Sequence, residues 1–169
     1  SPSFYSEADL DRIPAERIRT DLEHLSRFTN RVRTYTVDRG LDIVPAEARR
    51  LGMTVSLGIW LGPDRDLNEQ EVARAIEVIT ENPQTVDRVF VGSEVVLRGE
   101  LSAQELAIYI ARVKRSIPAH IEVGSADVWH IWLDNPVIAR SSEFIGVHLL
   151  PYWDGVAIED AMTYIEDRL

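Results

Sequence analysis

Short β-branched or apolar runs alternate with amphipathic stretches along this chain, the pattern of βα units around a parallel sheet. A helix comes first: Pro14 suits a first helical turn, and Ile18, Leu22, Leu25 and Phe28 recur at near-helical spacing on one face. A strand over residues 32–36 and a helix over 44–51 follow. The run 54–60 is apolar along most of its length, as expected of a strand covered by helices or set in a barrel wall. Asn68 and Glu71 have the spacing of a helix-capping pair, ahead of the stripe Val72, Ala75, Ile76 and Ile79. After a strand over 88–93, Ser102 and Glu105 repeat the capping spacing, and Leu106, Tyr109, Ile110 and Val113 form an apolar face. The pattern closes with a strand over 121–125, a short helix after Asn135 and Pro136, a strand over 144–149 and a helix over 158–169.

Composition narrows the class. The 169 residues are 45% hydrophobic and 27% charged, without a Gly/Ser linker or long charge run, and predict one domain, 1–169. Apolar runs are broken well before the ~18 residues of a membrane span, so no membrane segment is expected in this chain. No basic start followed by an apolar stretch precedes Asp9, so no signal peptide is visible, and export stays open. With 18 basic against 28 acidic side chains, the net charge of −10 disfavours nucleic acid as a partner, because phosphate binding rests on Lys and Arg. The absence of Cys removes disulfides, thiolate nucleophiles and Cys-built zinc sites without deciding the redox compartment. The length is short for an eightfold β/α barrel, which typically takes ~250 residues. A layout that both begins and ends on a helix therefore predicts part of a larger barrel.

In parallel β/α folds binding groups gather at the carboxyl ends of strands. Those positions here hold Tyr35, then Trp60, then Ser93 and Glu94, then Asp127 with Trp129 and Trp132, then His148 with Tyr152, Trp153 and Asp154. Sugar rings stack their apolar faces on aromatics and offer hydroxyls to polar partners, so such a lining suits a carbohydrate cleft; the alternative is that the aromatics cap the core. Glu94 follows the apolar run Val89, Phe90 and Val91 and precedes Val95 and Val96. An apolar setting raises a carboxyl pKa toward what a general acid needs, whereas pairing with Arg98 or Arg33 would make Glu94 a strand-end tie. The four histidines, His24, His120, His130 and His148, show no metal-ligand spacing. No Gly-rich phosphate loop and no nucleophile elbow are present, so neither metal nor cofactor is expected.

Taken in order, Val32-Arg33-Thr34-Tyr35, Leu57-Gly58-Ile59-Trp60-Leu61, Val91-Gly92-Ser93-Glu94-Val95 with Arg98-Gly99, and Val147-His148-Leu149-Leu150-Pro151-Tyr152-Trp153 resemble glycoside hydrolase family seventeen. The nearest resemblance is to its bacterial branch of β-1,3-glucanases and glucosyltransferases. It implies an α/β fold of the (β/α)8 TIM-barrel type, present here as about strands 2 to 6, with the missing barrel strands supplied by the rest of a parent chain. Ser1-Pro2-Ser3-Phe4 resembles the tail of the family's first strand. The resemblance further implies a retaining enzyme acting on β-1,3-glucan, with Glu94 as acid/base and a second glutamate, beyond Leu169, as nucleophile. Tyr35, Trp129, Trp132, His148, Tyr152 and Trp153 match positions that line the family's glucan cleft. Ser93 stands where the family usually has Asn. Transglycosylation is favoured over hydrolysis, and the periplasm or cell envelope is the expected location. The rival from another class is a non-catalytic β-glucan-binding or assembly domain; a doubly wound α/β enzyme is disfavoured by the absent phosphate loop.

Overall fold

A computed structural model describes residues 12–168. The expected first-strand tail at Ser1 to Phe4 and the last residue of the final helix lie outside the described residues. Five strands, β1 (Arg31–Arg33), β2 (Thr54–Ile59), β3 (Val86–Ser93), β4 (Glu122–Val128) and β5 (Phe144–His148), form one sheet in the order β1-β2-β3-β4-β5. All four pairings are parallel. A sheet whose spatial order repeats its chain order has no point where the order reverses, which separates it from the doubly wound architecture. It is a curled half-barrel with flanking helices, a partial TIM barrel.

The helices are α1 (Ala15–Leu25), α2 (Val44–Arg50), α3 (Arg65–Glu81), α4 (Ala103–Ser116), α5 (Trp129–Asp134), α6 (Pro136–Ser141) and α7 (Ala161–Glu166). Alternation along the strands decides which face they cover. Val55, Leu57 and Ile59 of β2, Val89 and Val91 of β3 and Val123 of β4 are buried in one core with Val72, Ala75, Val78 and Ile79 of α3 and Leu106, Ile110 and Val113 of α4. The opposite face carries Arg33, Phe90 and Phe144. The Arg33 guanidinium lies 3.9 Å from the Phe90 ring centroid, and Phe90 meets Phe144 edge to face at 4.8 Å.

Several predicted elements change in detail. The capping box at Ser102 and Glu105 forms in full, with the hydroxyl accepting from the Glu105 N–H and the Glu105 carboxylate accepting from the Ser102 N–H. The expected pair Asn68 and Glu71 does not cap α3. Asp64 does, accepting from the N–H groups of Asp66 and Leu67, and Asn68 and Glu71 lie inside the helix. Strand β1 ends at Arg33, earlier than expected, and the final helix is split into a 3-10 turn at Ile158–Asp160 and α7. Phe28, expected on the apolar face of the first helix, lies beyond its end and is exposed. Residues after β4 that read as a strand-end loop form α5.

Candidate active site

Among the described residues two non-glycine residues, Arg39 and Glu94, have positive φ, and Glu94 is the one at a strand's carboxyl end. It follows β3 directly and takes φ +55, a left-handed conformation that non-glycine residues rarely adopt. Its N–H donates to the Ala126 carbonyl at 2.8 Å, tying the turn to the end of β4. Gly92, two residues earlier, has φ +74, and a β-carbon there would press within 3.1 Å of Val95. The kink leaves Glu94 half-buried at the sheet's carboxyl end, where Oε1 lies 2.5 Å from Nδ1 of His148 at the end of β5.

The side-chain partner of Glu94 is an imidazole and neither of the two expected arginines. Arg98 forms its ion pair with Glu100 at 2.7 Å, donates to the Ser93 and Leu61 carbonyls, and stacks over Trp60 at 4.6 Å. Arg33 stacks between Phe90 and Tyr35. The strand-end tie to either arginine is replaced by a carboxylate–imidazole pair. With its proton on Nδ1, His148 donates to this carboxyl oxygen.

Asp127 lies beside this pair and is almost wholly buried. One carboxylate oxygen accepts from the Val128 N–H at 2.9 Å; the other is buried without a hydrogen-bond partner among the described residues. Burial pushes the Asp127 carboxyl above its ordinary value, and the Glu94 charge adds to the rise. The Val128 and Leu97 N–H groups and His148 oppose it. Among the described residues no cluster of His, Asp and Glu could hold a metal ion.

The expected cleft residues are placed unequally. Tyr35 and Trp60 stand exposed at the ends of β1 and β2, and Ser93 is half-buried beside Glu94. Tyr152 and Trp153 are 81% and 78% exposed in the loop after β5, packed edge to face at 5.4 Å. Trp129 opens α5; its indole N–H donates to the Tyr164 hydroxyl, and Arg168 stacks over its ring. Trp132 is buried and its indole N–H points to the carbonyls of Asp127 and Gly146, so it joins the ends of β4 and β5. The strand-end lining expected from the sequence thus resolves into open aromatics at both flanks and one interior strut.

Sequence reasoning missed Glu71. From α3 its Oε1 accepts from the Thr36 hydroxyl at 2.6 Å, the Val37 N–H at 2.9 Å and the Trp60 N–H at 3.2 Å. Burial raises its pKa above the ordinary carboxyl value against the pull of those three donors. The available signal was its place beside Val72 on the apolar stripe, where a carboxylate needs partners.

The residues 5–169 match the model of the BtgE/BtgC glycoside hydrolase domain. This chain belongs to that family. Among its relatives is a glucan 1,3-beta-glucosidase of Schizosaccharomyces pombe, 31% identical over 88% of this chain and 50% of the relative. A crystal structure of the Rhizomucor miehei glycoside hydrolase family 17 beta-1,3-glucanosyltransferase superposes with TM-score 0.84 at 30% identity, covering 97% of this chain and 62% of that one. An active-site mutant of that enzyme in complex with laminaritriose gives TM-score 0.85, with the same identity and coverage. The relatives are enzymes of the glycosidase and glucanosyltransferase kind. The chain spans about half the length of the curated relatives it matches.

Proposed function

We propose that this chain carries the acid/base half of a retaining β-1,3-glucan active site. The observation that supports it is Glu94: a carboxylate on a left-handed kink at a strand's carboxyl end, held by His148, with exposed Tyr35, Tyr152 and Trp153 following the ends of other strands of the same sheet. Glu94 protonates the departing glycosidic oxygen while a glutamate outside these residues attacks the anomeric carbon, giving a glucosyl ester. Glu94 then takes the proton from the acceptor hydroxyl as that hydroxyl displaces the ester. Two carboxyl groups ~5–5.5 Å apart are needed for this double displacement, so the second comes from a further barrel strand of the same protein.

The resemblance of the strand-end motifs to the bacterial glucosyltransferase branch supports a glucan hydroxyl over water as acceptor, and a proposed location in the periplasm or cell envelope. Incubating the intact protein and its Glu94→Gln variant with laminari-oligosaccharides, with chain lengths followed by mass spectrometry, tests the mechanism. Loss of a general acid predicts a fall of about 10²–10⁴-fold, and chains longer than the starting sugar in the parent. Equal product formation by both proteins sinks the role of Glu94. Ser93, with one short hydroxyl where an Asn amide is usual, favours a second reading as a non-catalytic β-glucan-binding domain. Glucan binding without any turnover by the intact protein would establish that reading.

A further inference from the structure

We infer that Glu71 is a positioning residue, which holds the ends of β1 and β2 in the register that makes Tyr35 and Trp60 one wall of the glucan cleft. This rests on the reading of the open face as a glucan site. The geometry comes from one atom. All three donors, the Thr36 hydroxyl and the N–H groups of Val37 and Trp60, converge on Oε1 of Glu71. Two of them belong to the segment after β1 and the third to the end of β2, so a single oxygen from the helix behind the sheet joins two strand ends. Tyr35 immediately precedes Thr36, and the Trp60 side chain is itself exposed beneath the Arg98 guanidinium.

The surrounding backbone shows how close this junction is. A β-carbon on Gly58 would fall 2.4 Å from the Thr34 carbonyl oxygen and 2.5 Å from the Tyr35 α-carbon, so the segment just after β1 passes directly over Gly58 of β2 there. The Gly58 N–H donates to the Thr34 hydroxyl at 3.1 Å. Beyond that crossing the ladder ends, and Val37 and Trp60 have N–H groups whose acceptor is the Glu71 side chain. An unfilled acceptor would leave these amides to find other partners and release both loops. Arg98 over the Trp60 ring and Arg33 near Tyr35 then hold the two aromatics from the cleft side.

What the site uses is an acceptor at the right reach, not a charge. Glu71→Gln keeps a carbonyl oxygen at the same distance from the backbone, whereas Glu71→Asp keeps the charge and falls one methylene short. In the intact protein, Glu71→Gln is expected within about twofold of the parent in both kcat and KM for laminari-oligosaccharides, and Glu71→Asp to raise KM about fivefold or more with kcat changed less than about threefold. Amide hydrogen exchange at Val37 and Trp60 is expected to accelerate at least about tenfold in Glu71→Asp and to stay at the parent rate in Glu71→Gln. An unchanged KM and unchanged exchange in Glu71→Asp, or a defect in Glu71→Gln equal to that in Glu71→Asp, overturns the inference. Should the parent neither bind nor turn over the glucan, the proposed function fails by itself. The exchange rates then decide separately whether Glu71 holds the strand ends: acceleration in Glu71→Asp alone sustains the tie, and parent-like rates overturn it.

Discussion

The middle of the half-barrel and its last unit are built from the same βα pattern but are held differently. At β2, β3 and β4 the apolar face packs against α2, α3 and α4, and Leu57, Ile59, Val89, Leu106 and Ile110 are essentially inaccessible. At β5 and α7, Ile145, Val147, Ile158 and Met162 remain exposed. The last unit is attached through polar and aromatic contacts: the Trp129 indole donates to the Tyr164 hydroxyl, that hydroxyl donates to Asp154, and Arg168 covers the Tyr164 and Trp129 rings. The amphipathic signal gives a sealed core where α2, α3 and α4 dock on the sheet, and β5 and α7 are the last elements of the described residues. The candidate site straddles both regions, with Glu94 after β3 and His148, Tyr152 and Trp153 at and beyond the end of β5.

This contrast can be broken by mutation. Leu106→Ala, in the sealed middle, is expected to destabilise by about 2–5 kcal/mol through lost burial and a cavity, read by denaturant unfolding of the intact protein. A cost under about 1 kcal/mol would show that the middle is loosely packed. Ser102→Ala removes the cap of α4 and is expected to cost about 1 kcal/mol by the same measurement.

Asp127→Asn sharpens the comparison at the junction of the two regions. The folded-state pKa of Asp127 is raised, so the folded protein holds that proton more tightly than the unfolded chain. The parent therefore gains stability from this group as pH falls through the raised value, until the unfolded chain protonates as well. The asparagine variant lacks the cost of a buried charge, so its advantage should be largest above the raised pKa and disappear below the ordinary carboxyl range. Thermal melts across pH check the sign. A variant that loses ground to the parent as pH rises would reverse it.

Much of this organisation was legible in the residues. Period-2 and period-3.6 patterns located five strands and the helices between them, because partition of apolar side chains is a local, repetitive signal. The placement of Glu94 at a strand end was legible because it closes an apolar run; its left-handed turn was not. Trp132 was misplaced for a physical reason: an indole suits a cleft and a core equally, and only the approach of β4 and β5 shows that its N–H is spent on two carbonyls. Asn68 was misread similarly. Its amide serves both the N–H and the carbonyl of Gly62, a loop bond that capping spacing resembles.

What the sequence by itself determined is the alternation of elements, the sign of the surface charge and the order of chemically useful residues along the strand ends. These depend on neighbours a few positions apart. Tertiary structure alone decided that Glu94 faces His148 rather than an arginine, that Asp127 carries a buried carboxylate beside them, and that one oxygen of Glu71 joins two strand ends. Each of those contacts spans from tens of residues of chain to more than fifty in the case of Glu94 and His148, and exists only because parallel strands in sequential order bring their carboxyl ends to one rim.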